Sequence, residues 1–232
     1  MQMSTDQLLK KIDELHEKYY GAPSPVYGML YSGRMTKRQL QEFIGQWSVF
    51  PLYNQNYHGR LYVVCPDHRW RSRIAEVVYE EGTGRLFAGG VSHHELYLQH
   101  AEALGISRTE IYNWPLCAEG VGYMNWFSNI CGRSFVEGAA AHMLAGEAVG
   151  NTFYTQVRDA LQKHYGLTDE QVRFWTVHIA ADEDHANIGR ELLDDFAKTE
   201  DDQKLVLKGV EEGLLMFRLL DEGHYKAVMA VK

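Results

Sequence analysis

The sequence predicts an all-α fold, a single helical domain over residues 1–232 with seven or eight helices packed as a bundle. Three observations carry this. Helix-start signals recur along the chain, the last of only five prolines is Pro115, and strand signals are weak. Proline breaks the i to i−4 ladder, so a long proline-free half suits long helices. No segment alternates apolar and polar residues for long, and no Asn-Gly or Asp-Gly pair marks a hairpin.

In chain order, Ser4, Thr5 and Asp6 precede a segment with Leu8, Ile12 and Leu15 at helical spacing, which GAPSP at 21–25 ends. Thr36 and Gln39 form a capping box before the next helix, and Pro51 is expected to kink the helix that follows. Cys65-Pro66-Asp67 is a break, with Asp67 capping a helix that carries Ile74, Val77 and Val78. Four more boxes pair Ser92 with Glu95, Ser107 with Glu110, Ser134 with Glu137, and Thr168 with Gln171, and Gly166 is a stop. A last amphipathic helix runs from about Thr199 to the C-terminus.

Composition narrows the function. Forty-five per cent hydrophobic and 23% charged residues are ordinary for a globular chain. The net charge of −8, with no basic block, disfavours nucleic acid and anionic membranes as partners. No apolar run is long enough to span a bilayer, and MQMSTDQLLKKIDEL lacks the apolar segment of a secretory signal, so a cytoplasmic location is expected. Cys65, Cys117 and Cys131, without CxxC spacing, argue against a disulfide framework or a thiolate metal site.

The strongest chemical signal is FWTVHIAADEDHANIG. His178, Asp182 and His185 stand at i, i+4 and i+7, within roughly 60° of arc on one helix. Two imidazoles and a carboxylate on one face suit a first-row metal of the non-haem iron type. The neighbouring Phe174, Trp175, Ile179 and Ile188 argue that this face is buried, and a metal removes the cost of burying such charges. Glu147 stands in AAAHMLAGEAVGN, where small residues leave room for a cavity or close helix packing; His142 in the same stretch reads as a core or surface histidine. In EVVYEEGTGRLFAGGVSHHEL, Glu80 or Glu81 ends one helix and His93 and His94 open the next. The glycine-rich loop lacks a Walker lysine, so it reads as a device that lets a carboxylate and a histidine converge.

Together the Glu-loop-His segment, the isolated Glu147 and His-x3-Asp-x2-His resemble the haem-oxygenase-like di-iron oxidases. Their superfamily also holds the TenA and PqqC proteins and the Chlamydia protein associating with death domains. The similarity runs from about Tyr27 through His185. Carried over by position, the family's ligands fall on Glu80, His93, Glu147, His178, Asp182 and His185. The longer loop keeps Glu81 and His94 open as alternatives. Tyr27 matches a tyrosine of the branch that makes aminobenzoate from its own side chain, and is the catalytic candidate. The lysine of that branch is Val157 here.

The resemblance implies two iron ions cycling between Fe(II) and Fe(III), O2 as co-substrate, and an external electron donor. The substrate would be a small amine, amino acid or fatty acid, undergoing N-oxygenation, desaturation or oxidative C–C cleavage in cofactor or natural-product biosynthesis. By analogy the protein would be a homodimer, with the last helix as contact. Candidate pocket residues are Tyr27, Trp47, Tyr53, Tyr154 and Phe174, and Arg190 either binds a substrate carboxylate or pairs with Glu183 or Asp194. The rival readings are a metal-independent TenA- or PqqC-like enzyme and an interaction protein with a large exposed apolar patch.

Overall fold

Polar side chains at the expected positions close the helix N-termini. In a computed structural model of the protein, Ser4 and Thr36 form complete capping boxes with Gln7 and Gln39, and Ser107 and Thr199 do so with Glu110 and Asp202. Asp67, Ser92 and Ser134 accept from the N–H three residues on. Each bond satisfies an orphan donor of a first helical turn. The structure describes residues 2–146, 150–181 and 185–231, with side chains at all of these except 150–151, 180–181 and 185–187.

Among the described residues the chain is entirely helical, with thirteen α-helices and no strand. They are α1 (Thr5–Tyr20), α2 (Pro25–Tyr31), α3 (Lys37–Trp47), α4 (Asn54–Val64), α5 (His68–Thr83), α6 (His93–Ala103), α7 (Arg108–Tyr112), α8 (Ala118–Arg133), α9 (Phe135–Ala139), α10 (Gly150–Tyr165), α11 (Arg173–Ala181), α12 (His185–Phe196) and α13 (Glu200–Ala230). A π-helical segment, Ala140–Gly146, continues α9. The count exceeds the expected seven or eight, and three of the extra helices, α2, α7 and α9, are short pieces of one or two turns. Pro51 does not kink a helix but lies in the turn between α3 and α4. The Thr168–Gln171 box forms, yet closes a turn ahead of α11. None of the helices is long and apolar enough to cross a membrane.

Two apolar clusters build the interior. One gathers Trp70, Tyr123, Phe127, Ile130 and Leu214 from α5, α8 and α13; the other gathers Phe43, Trp47, Tyr97, Phe174 and Trp175 from α3, α6 and α11. Phe50 packs against both, and the main cavity is lined from both.

Close approach of α13 to the π-helical segment depends on missing side chains. A Cβ on Gly213 would meet the Ala145 Cβ at 2.9 Å and the Ala141 carbonyl oxygen at 3.3 Å, and one on Gly209 the Glu137 carbonyl oxygen at 2.8 Å. Small residues on both sides let α13 lie directly against the wall of the cavity. A second clamp joins α6 to α11. His100 Nδ1–H donates to the Gln171 carbonyl at 2.7 Å, and Trp175 Nε1–H donates to His100 Nε2 at 3.2 Å. The ring must therefore be neutral, and burial lowers its pKa to about 4 against the pull of the Gln171 carbonyl.

Two outcomes follow from these contacts. Gly213→Val should lower stability by about 1–3 kcal/mol through overpacking, read by chemical denaturation; an unchanged midpoint would remove the close-approach argument. His100 is protonated more readily unfolded than folded, so its contribution is complete above about pH 6.5 and declines as pH falls toward 4. The full loss is on the order of 3 kcal/mol. The stability difference between wild type and His100→Gln should therefore shrink across that window, whereas parallel pH profiles would count against a neutral buried imidazole.

Candidate metal centre

Glu80 and Glu81 are consecutive in α5, so their side chains leave the helix about 100° apart. Glu80 turns to the loop that follows. Its carboxylate accepts the N–H groups of Leu86, Phe87 and Ala88 at 2.6, 3.1 and 3.0 Å, and lies 3.3 Å from His93 Nε2. Gly84, in the left-handed region at φ 62°, ends α5 and starts the reversal that brings those amides back.

Glu81 turns toward α4. Asn54 Nδ2–H donates to its Oε1 at 2.9 Å, and His93 Nδ1 stands 3.3 Å from the same oxygen. His93 Nδ1 is buried without a hydrogen bond, so that approach has ion-pair distance but not hydrogen-bond alignment. Burial works to raise the Glu81 pKa, but the His93, His178 and His58 rings outweigh it and lower the value to about 2. Burial works to lower the His93 pKa, and Glu81 and then Glu80 raise it instead.

His178, in α11, completes the group. Its Nδ1–H donates to the Phe174 carbonyl one turn back at 2.7 Å, which fixes the tautomer with the lone pair on Nε2. The ring stands between Tyr154 and Phe174, with centroids at 4.8 and 4.5 Å, and edge-on to His93 at 4.7 Å. Ligand atoms from Glu81, His93 and His178 all lie within 4.8 Å of one another.

This donor set fits a first-row divalent metal. It offers one carboxylate and two imidazoles, with charge to neutralise and a buried ring nitrogen that has no hydrogen bond. The surroundings have the form of a metal site's outer ring of bonds: Glu80 on His93, Asn54 on Glu81, and the Phe174 carbonyl on His178.

Glu81 and His178 open onto a cavity of about 560 Å³. Of the expected pocket residues, Tyr27, Trp47, Tyr154 and Phe174 line it, and Tyr53 does not. The Tyr27 hydroxyl oxygen accepts from Trp47 Nε1–H at 3.2 Å. Burial first, and the Asp221 charge second, hold the Tyr27 phenol well above its ordinary pKa. The Arg190 guanidinium pairs on the surface with Asp6 at 2.7 Å, while Glu183, one of its expected partners, lies outside the described residues. His94 also points away, to the Tyr112 hydroxyl at 2.6 Å. Glu147, Asp182 and the side chain of His185 lie outside the described residues.

Several lining residues escaped sequence reasoning. Asn54 had no signal beyond its place at a helix start. His142 packs against His58 with ring centroids 4.2 Å apart, and lines the cavity as well. Asp221 was legible in principle, because helical phase puts it on the stripe of Val210, Leu214, His224 and Val228, all buried.

Comparison with known proteins agrees with this picture. A family profile described as iron-containing redox enzyme matches residues 41–218. The chain is 25% identical over 211 residues to a 4-aminobenzoate synthase of Chlamydia pneumoniae, covering 89% of each chain. It is 24% identical over 176 residues to a pyrroloquinoline-quinone synthase of Acinetobacter calcoaceticus, covering 73% of this chain and 66% of that protein. Its fold matches a domain of unknown function with a heme oxygenase-like fold from Shewanella denitrificans, with a TM-score of 0.77 at 17% identity, covering 97% of this chain and 93% of that one. The protein belongs to the haem-oxygenase-like family of iron-containing redox enzymes.

Proposed function

We propose that this protein is a non-haem di-iron oxidase or oxygenase that uses O2 on a small amine, amino acid or fatty acid in a biosynthetic reaction. The observation that carries the reading is the group of buried Glu81 and His93 with half-buried His178, beside a largely aromatic cavity, in a chain of an iron-containing redox family. Glu81, His93 Nδ1 and His178 Nε2 are the donors assigned from the described residues. Glu147, Asp182 and His185 complete the set by the family resemblance.

Glu80 has two roles to choose between, ligand or orienting group. Its bonds to three loop amides and to His93 favour the second. Iron held there would supply the reduction of O2 and the oxidation of a substrate C–H or N–H bond, with an external donor for the remaining electrons.

The chain's own residues do the rest. Glu81 offsets cationic charge, and Asn54 fixes the direction of its carboxylate. The Phe174 carbonyl holds the His178 proton on Nδ1, away from the donor nitrogen. Trp47, Tyr154 and Phe174 exclude water from the cavity and give the substrate an apolar surface. Tyr27 is assigned as the catalytic residue that touches the substrate. Trp47 donates to its oxygen, so its own O–H remains available to donate.

Anaerobic Fe(II) titration tests the reading. Wild type should take up about two irons per chain, as a carboxylate-bridged bundle site does. Glu81→Ala and His178→Ala should lose most of that binding while keeping their helical circular dichroism. Glu80→Gln should retain binding but weaken it by roughly 10- to 100-fold. A wild-type chain that binds no iron would leave the metal-independent reading, and variants that bind iron as wild type does would overturn the assigned donors.

A further inference from the structure

A second polar group lines the cavity, and nothing in the metal centre uses it. Asp221 stands on α13 with Tyr20, Ser24, Tyr27 and Tyr31 around it in the lining. The carboxylate is buried, and among the described residues no basic side chain lies within ion-pair distance of it. The Tyr20 hydroxyl donates to it over a long 3.4 Å. The Ser24 hydroxyl is buried and makes no aligned hydrogen bond. A carboxylate buried this way is costly unless a cation joins it. Burial pushes its pKa up to about 7, with the Ser24 and Tyr20 hydroxyls and Arg218 acting the other way.

The three tyrosines are close enough to feel its charge. Burial first and Asp221 second raise the phenols of Tyr20, Tyr27 and Tyr31. Tyr27 stacks on Tyr31 with ring centroids at 6.0 Å and meets Phe153 edge-on at 5.1 Å. A carboxylate among aromatic faces is the chemistry that recognises an organic ammonium group, by charge and by cation–π attraction together. A fatty acid would bring a second carboxylate to the same place, and a neutral alcohol would leave Asp221 without a counter-charge.

We propose that Asp221, walled by Tyr20, Tyr27 and Tyr31, binds the ammonium group of an organic amine substrate whose body extends through the apolar cavity toward Glu81 and His178. The proposal rests on the oxidase reading only for what happens to the substrate at its far end. It narrows the substrate from amines, amino acids and fatty acids to compounds that carry an amine.

Calorimetric titration of the full chain with n-hexylamine, 1-hexanol and hexanoate tests it, once without metal and once with Fe(II) under anaerobic conditions. Hexylamine should bind at least about tenfold more tightly than either competitor in both states. Asp221→Asn should bind hexylamine no better than hexanol while keeping its iron uptake and helical circular dichroism. Equal binding of hexylamine and hexanol by wild type overturns the proposal without recourse to any variant, and so does an Asp221→Asn protein that keeps the amine preference. Amine selectivity in a chain that takes up no iron would uphold the Asp221 site and remove the oxidase reading. Iron uptake without amine selectivity would do the reverse.

Discussion

The Glu80 carboxylate stands where α5 ends, and the N–H groups of Leu86, Phe87 and Ala88 converge on it together with the His93 ring. Hydrogen bonds to an ionised acceptor are worth about 1.5–3 kcal/mol each, so the whole return of the chain between α5 and α6 is organised around one side chain. The reversal needs the left-handed backbone of Gly84, Gly89 and Gly90. Its product is a fixed His93, held beside Glu81 and across from His178. A glycine-rich loop that resembles an anion-binding loop in composition binds an anion of its own chain.

The rest of the interior sets what can reach that centre. Aromatic side chains of α3 and α11 form one wall of the cavity, and those of α8 and α13 form another. The glycines of α13 let it lie against the π-helical segment, so that the Asp221 face and the His142 face belong to one chamber. π-helical turns inside helical bundles are common at functional sites because they redirect side chains by a fraction of a turn. Here the segment carries His142 into the lining beside His58. Acidic side chains line the chamber at two separated places, Glu81 and Asp221, which suits a metal cation at one and an organic cation at the other.

Much of the fold could be read in the chain because capping is local. Ser4, Thr36, Asp67, Ser92, Ser107, Ser134 and Thr199 each act within three residues of themselves, and each starts the helix expected of it. Pro51 was harder, since whether proline kinks or ends a helix depends on what packs around it. Of the candidate site, the sequence placed His93 and His94 together in the first turn after the Ser92 cap and left the choice between them open. The choice between Glu80 and Glu81 depends on how a nine-residue loop, 84–92, folds back, which periodicity does not encode. Asn54, and Arg190 with its partner Asp6, belong to contacts between segments far apart in sequence, so neither could be placed from local pattern.

Crystals of the protein soaked anaerobically with Fe(II) and measured on both sides of the iron absorption edge would test the central assignment most directly. The account predicts anomalous density in contact with Glu81, His93 Nδ1 and His178 Nε2, with Glu80 still bonded to the loop amides. Iron coordinated by Glu80 with Glu81 turned away, or no iron between α5, α6 and α11, would contradict it.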